Sequence, residues 1–487
     1  AMVAGPAIRA RRRLRPPLAS RRPSAAVTLC CLVAGSLGLA GAVDRAKFRT
    51  CSQGSFCRRY QSYVARIEGS GGSEFAHELD AASIQQNGHV VHAKMVQVHD
   101  ATVKPLNLEI RWFRDVVQGR CGIVRIILDE DAPLHPRFRI RDGDVTTKEE
   151  ELKPDTVAMK SGDAQTVFMS SATGDCQVAL RHRPFELDFR AGGHLLQRLN
   201  ARHLLNFERY RSKGHTHSGL VDATDVDDKD LWEETFGTHH DTKPRGPAAV
   251  GVDVSFQSAS FVSGLAEHAT KLNLGGNGFH EPYRLFNLDV FEYEENDPMA
   301  LYGAVPFVMA MHRTASGEGT VASGFFMPNP SEGHVKVDPA SKDGTATWWL
   351  FESGIIDAFM FAGPTPQAVM EQYHTVTGWP RMPPLCALGK HQSRWNYVDV
   401  ADSLSVNRKF DEHDIPYDVL WLDIEHTDGK KYFTWHPTHF KDADKLLDGL
   451  ATTKRKLVTI IDPHIKKDDH YDVYNTLKKK DMFTKTV

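Results

Sequence analysis

The sequence changes its grammar at Pro383-Pro384, and that change limits the possible architectures more than any other feature. From about Phe75 to Pro380 the chain is written in short runs rich in β-branched and aromatic residues, such as Leu106 to Arg114, Cys121 to Leu128 and Phe185 to Phe189. Gly, Asp, Asn and Pro punctuate them. Repeated short strands without helical spacers predict an antiparallel β-sandwich. After Pro384, apolar strands alternate with amphipathic helices: Leu385 to His391, Tyr417 to His426 and Lys456 to His464 read as strands, Ala401 to His413 and Ala443 to Arg455 as helices. Runs such as Val419-Leu420-Trp421-Leu422 suit strands buried on both faces of a parallel sheet. The expected fold is therefore α+β and multidomain, an antiparallel β-sandwich followed by the first part of a (β/α)8 barrel, with about three of its eight strands present.

The first 42 residues differ from the rest. Arg9, Arg11, Arg12, Arg13, Arg15, Arg21 and Arg22 precede an apolar run from Ala25 to Ala42 that ends in Ala40-Gly41-Ala42. A basic block, an apolar core and a small-x-small ending is the order of a secretory signal, read here as 1–42; the alternatives are a retained anchor or a transit peptide. Without that segment, 52 Lys and Arg face 62 Asp and Glu, and the formal charge moves from −3 to −10. A nucleic-acid partner would call for the opposite sign, so none is expected, and no membrane span is expected after signal cleavage. Five cysteines remain: Cys51, Cys57, Cys121, Cys176 and Cys386. In an oxidising lumen the close pair Cys51 and Cys57 is expected to form a disulfide, the alternative being two reduced thiols. The basic, Cys-bearing stretch from Val43 to about Tyr60 reads as an ordered amino terminus rather than a core element.

Side chains at the carboxyl ends of parallel barrel strands face the substrate, which singles out Asp423 in Trp421-Leu422-Asp423-Ile424-Glu425-His426 and Asp462 in Ile460-Ile461-Asp462-Pro463-His464. Carboxylates there can accept sugar hydroxyls, and Trp395 and Trp435 can lie against a pyranose ring. The plain alternative is that one acid caps a helix and the tryptophans are core. The acidic stretch Asp222 to Asp230 lacks calcium-loop spacing and reads as a solvated loop. No nucleotide loop, zinc spacing or nucleophile elbow is present, and no metal or cofactor is expected.

Four segments of the final domain, His391 to Tyr397, Trp421 to His426, Asp428 to Trp435 and Asp462 to Lys466, resemble glycoside hydrolase family 31, in its branch of glucosidase II α subunits. Upstream, Pro282 to Phe291, Pro298 to Gly303 and Glu352 to Asp357 match in the same order, as do Phe48 to Cys51 and Ser55 to Cys57. Long colinear matches are more specific than one short motif. The resemblance implies a retaining exo-α-glucosidase that trims α-1,3-linked glucose from N-glycans in the endoplasmic reticulum lumen. It further implies a β-subunit partner, the glucosidase II β subunit, and two carboxylates about 5 to 5.5 Å apart as nucleophile and acid/base. No Trp-Asn-Asp-Met-Asn-Glu-Pro string occurs between Val43 and Val487, so both catalytic acids are expected beyond Val487.

Carried over residue by residue, Asp289 and Asp423 are the carboxylates that hold the terminal glucose, with Ile424 and Ile460 lining its pocket. Glu425 and Asp462 are read as structural or supporting acids. Where the family usually has a Trp, this chain has Met327, which puts the packing or a sugar contact there in doubt. The expected domains are a Cys-bearing segment 43–74, a galactose-mutarotase-like sandwich 75–380 and an incomplete barrel 381–487. Two rival readings remain: a non-catalytic product that binds glycan or the partner subunit, and another family 31 α-glucosidase acting on storage glucans.

Overall fold

The structure, a computed structural model, describes residue 43 and residues 48–484 apart from 100–102, 164, 214–227, 276–280, 291, 315–316 and 318. The expected signal 1–42 and most of the acidic stretch Asp222 to Asp230 lie outside the described residues; within the latter, a short helix Asp228–Trp232 begins. The chain divides into two compact units between Tyr373 and His374. No described helix is long and apolar enough to cross a membrane.

The first unit is built from two large antiparallel sheets. One sheet runs in the order His77–Asn87, Val90–Gln97, Leu106–Arg114, Cys121–Glu130, Ile356–Phe361, Thr320–Phe326, Phe307–Arg313, Ala259–Gly264. The other runs Tyr283–Leu285, Gly333–Ser341, Gly344–Phe351, Val250–Gln257, His194–Leu199, Glu186–Ala191, Cys176–Arg181, Thr166–Ser171, Val157–Ser161, with Asn206–Phe207 beside Val250–Gln257. Period-two patterning sets the inward faces. In Leu106–Arg114 the apolar Leu106, Leu108, Ile110 and Trp112 are buried while Asn107, Glu109 and Arg111 are half-exposed. The neighbouring strand answers in register, Leu108 opposite Leu128, Ile110 opposite Ile126 and Trp112 opposite Val124. Residues of both sheets form one continuous core.

The segment expected to stay outside the core is a core element. Residues Ser55–Gly69 form a helix whose Phe56, Tyr60, Tyr63 and Ile67 are buried against Leu204, Ala249, Trp348 and Leu350 on the outer face of the second sheet. Each such side chain contributes roughly 1.5–3 kcal/mol of burial. Gly251 makes the fit possible, since a Cβ there would stand 2.7 Å from the Tyr60 ring. With helix on one side and sandwich core on the other, Val250–Gln257 is buried at all but its last position.

Among the described residues two disulfides brace this unit. Cys51 and Cys57 are bonded, closing the turn that leads into the helix, with Cα atoms 5.2 Å apart. Cys121 and Cys176 join a strand of one sheet to a strand of the other. Cys386, in the second unit, is a free thiol.

The second unit contains a parallel three-stranded sheet, His391–Gln392, Val419–Leu422 and Lys456–Thr459 in that order. Helices Val400–Glu412 and Ala443–Ala451 follow the first two strands, and their apolar stripes meet Leu420 and Leu422 through Leu404, Phe410, Leu446 and Leu450. Asp399 caps the first of these helices by accepting the Asp402 amide at 2.7 Å. All three expected strands are shorter than their sequence suggests, the third ending at Thr459 rather than His464. Leu385–Leu388 is a 3-10 turn, closed by the Ala387 amide donating to the Pro384 carbonyl at 2.9 Å, and only His391–Gln392 is extended. The run from Tyr417 stops as a strand at Leu422, because Asp423 caps a 3-10 turn over Ile424–His426. A further helix, Asp472–Lys479, lies beyond the expected elements.

Candidate carbohydrate site

In the second unit Asp423 stands at the carboxyl end of the central parallel strand, half-exposed. Its Oδ1 accepts the Ile424 amide at 2.7 Å, and among the described residues no hydrogen bond holds Oδ2. Ile424, just after Asp423, and Ile460, just after the adjacent strand Lys456–Thr459, are half-exposed, and the Ile460 amide donates to the Leu422 carbonyl at 3.0 Å. Tyr432 holds the second of the two strand-end acids, Asp462. Its hydroxyl donates to Asp462, and burial, then Asp462 and more weakly the charge of Asp423, push its pKa up to about 12. It therefore remains a donor at any ordinary pH.

Glu425 points elsewhere. It accepts from Lys430 and from Trp395 Nε1 at 3.2 Å, and the Lys430 bond holds its carboxyl below the usual glutamate range. Trp395 is 71% exposed and Trp435 40%, so both present ring face to solvent; Trp435 is backed by Phe440 and His426. Trp421 is turned the other way, donating to His391 Nδ1 at 2.8 Å. The capping alternative for Asp423 is thus present together with an oxygen left over for a ligand.

In the first unit Asp289 lies exposed in the loop that follows the strand Tyr283–Leu285. Tyr302 donates to its Oδ1 at 2.6 Å, and that bond raises the Tyr302 pKa. The loop is anchored at its root, where the Leu288 amide donates to the Leu301 carbonyl at 2.8 Å and Arg284 lies 4.5 Å from the Phe286 ring centre. Arg284 is itself held by Glu332 at 2.9 Å. Burial works to raise the Glu332 carboxyl, but His334, Arg284 and Arg49 outweigh it and bring it down to about 2. Met327 is fully buried in the sandwich core, where it packs rather than meets solvent.

Tyr302, Tyr432 and Lys430 were not singled out from sequence. Each sits within a segment that carries the family resemblance, but only the folded geometry shows which acid it holds.

A two-layer antiparallel sandwich followed by parallel strand–helix units with acids at the strand ends is an architecture that glycoside hydrolases use. Residues 115–335 match the glycosyl hydrolase 31 N-terminal galactose mutarotase-like domain, and residues 380–487 match the glycosyl hydrolases family 31 TIM-barrel domain. The chain belongs to glycoside hydrolase family 31. Within it, the chain is 37% identical to neutral alpha-glucosidase AB of Mus musculus over 92% of this chain and 49% of that one. It is similar to a glucosidase II alpha subunit solved with alpha3-Glc2 bound, at TM-score 0.78 and 32% identity over 90% of this chain and 49% of that one. It is also similar to the ER glucosidase II heterodimeric complex of catalytic subunit and the binding domain of the regulatory subunit, at TM-score 0.76 and 33% identity over 89% of this chain and 48% of that one. The chain spans about half the length of the curated relatives it matches.

Proposed function

We propose that the protein to which this chain belongs is a retaining exo-α-glucosidase that removes α-1,3-linked glucose from N-glycans in the lumen of the endoplasmic reticulum. In this reading residues 1–42 are its secretory signal, 43–74 a Cys-bearing segment, 75–380 the sandwich and 381–487 the opening part of the catalytic barrel. Asp289 and Asp423 accept hydroxyl hydrogens of the terminal glucose, and Ile424 and Ile460 exclude water beside it. The nucleophile and the acid/base belong to a stretch after Val487, since the family's nucleophile string is absent before it. The reading also takes in a regulatory β subunit, as in the heterodimeric relative.

The observation that carries this reading is Asp423: a carboxylate at the end of the central parallel strand, pinned through one oxygen to the following amide, with the other oxygen unengaged among the described residues. A fixed acceptor of that kind serves substrate orientation, which only a positioned group can supply. Two further acids would perform double displacement, one attacking the anomeric carbon and the other protonating the leaving oxygen.

The test is to express the protein with its continuation and assay glucose release from α-1,3- and α-1,4-linked diglucosides. Preference for the α-1,3 linkage, lost in Asp289→Asn, supports the reading. Equal or better turnover of the α-1,4 substrate contradicts it and favours a storage-glucan relative.

A further inference from the structure

Beneath the helix Ser55–Gly69, two cysteines close in sequence and a histidine far from them converge on one buried point. Cys51, Cys57 and His334 are 0%, 0% and 1% exposed, and their sulfur and nitrogen atoms lie within 4.8 Å of one another. His334 belongs to the strand Gly333–Ser341, opposite Arg284, and its ring packs against Phe56 at 5.6 Å. Neither ring nitrogen makes a well-aligned hydrogen bond among the described residues, although Nε2 lies 3.5 Å from Glu332 Oε1. A buried imidazole with an unused nitrogen is costly, and it needs a reason.

Two thiolates and an imidazole are a zinc donor set. In a tetrahedral site with Zn–S of about 2.3 Å and Zn–N of about 2.0 Å, ligand atoms stand roughly 3.3–3.8 Å apart, so the present spread needs only side-chain rotation once the S–S bond is open. Glu332 is placed to act as the outer carboxylate that orients a metal-bound histidine. Glu332 Oε1 stands 3.5 Å from Nε2, so a small ring movement would let Nε2–H bond it and leave the Nδ1 lone pair for a metal.

We propose that Cys51, Cys57 and His334 form a redox-gated zinc site, closed to metal while the disulfide is intact and able to bind one Zn2+ when it is reduced. Reduction by a dithiol breaks the S–S bond, oxidises the reductant to its own disulfide and leaves two thiols. Zinc then displaces the two thiol protons to solvent and takes the neutral imidazole, with no further electron transfer; water completes the fourth position. The spacing of these residues along the chain gives no sign of the site, because His334 comes from a strand distant in sequence, on the face of the second sheet that the helix covers.

The test is anaerobic zinc titration of the full chain, oxidised and reduced, against a chromophoric chelator, with Cys121→Ser/Cys176→Ser introduced so that only one disulfide opens. One equivalent bound by the reduced form and none by the oxidised form is expected, with binding at least 100-fold weaker in His334→Ala. Co2+ in place of zinc should give the charge-transfer band of thiolate coordination in the unaltered reduced chain. Circular dichroism of oxidised His334→Ala separates lost binding from lost fold. No zinc on the reduced chain, or equal zinc binding in a folded His334→Ala variant, overturns the proposal.

Discussion

Tyr302 donates its hydroxyl to Asp289 Oδ1 at 2.6 Å, so the exposed carboxylate proposed to meet a sugar is already aligned by a neighbouring loop. Replacing Tyr302 by Phe removes the donor to Asp289 and its longer contact with the Val290 carbonyl at 3.2 Å, and little packing, because the ring is 57% exposed. In the complete enzyme KM should rise several-fold while kcat and the thermal midpoint stay close to the parent. An unchanged KM would show that Asp289 needs no such alignment.

Arg59 and Glu208 bind the amino-terminal helix to the sandwich through two parallel bonds of 2.7 and 2.8 Å, with both side chains buried. Glu208→Gln leaves the guanidinium buried without its counter-charge and should cost about 3–5 kcal/mol in urea unfolding. Arg59→Met combined with Glu208→Leu should recover most of that loss, since no charge is then stranded.

The two disulfides differ in the loops they close, with sequence separations of 6 and 55. Chain-entropy reasoning gives about 2 kcal/mol for the short loop and about 4 kcal/mol for the long one. Cys121→Ala/Cys176→Ala should therefore lower the unfolding midpoint more than Cys51→Ala/Cys57→Ala. The reverse order would show that the short bridge acts chiefly by shaping the packed helix.

Two buried acids give the stability profile opposite slopes. Burial pushes the Asp253 carboxyl up to about 6, although it accepts the Arg202 and Leu204 amides at 2.8 and 3.0 Å. A folded pKa above the unfolded one means that its contribution is fully present below the ordinary aspartate range and is lost as pH rises through 6. Glu332, held at about 2, contributes above the ordinary glutamate range, and its share is lost as pH falls through 2. Asp253→Asn should flatten the decline between about pH 4 and 6, and Glu332→Gln should flatten the rise from about pH 2, both read from denaturant midpoints.

Strand patterning was legible wherever one face meets the core. Leu106–Arg114 has the bounds its alternation suggests, because Leu106, Leu108, Ile110 and Trp112 have no solvent-facing alternative. The parallel units were legible for the same reason, through Val419-Leu420-Trp421-Leu422. The helix Ser55–Gly69 was not, since its arginines suggest a solvated segment and Arg59 is neutralised by a partner 149 residues away. Strand ends were overextended where a side chain closes a turn, as Asp423 does at Ile424. Asp289 and Asp423 could be named from motif resemblance, but the tyrosines beside Asp289 and Asp462 emerge only from pairing across loops.

The most direct test of the central claim is the rate of glucose release from an α-1,3-linked diglucoside by the complete protein and by its Asp423→Asn variant. The account predicts that kcat/KM falls at least 100-fold, about 3 kcal/mol of transition-state binding, with folding unchanged. Hydrolysis by Asp423→Asn at the parent rate would contradict it.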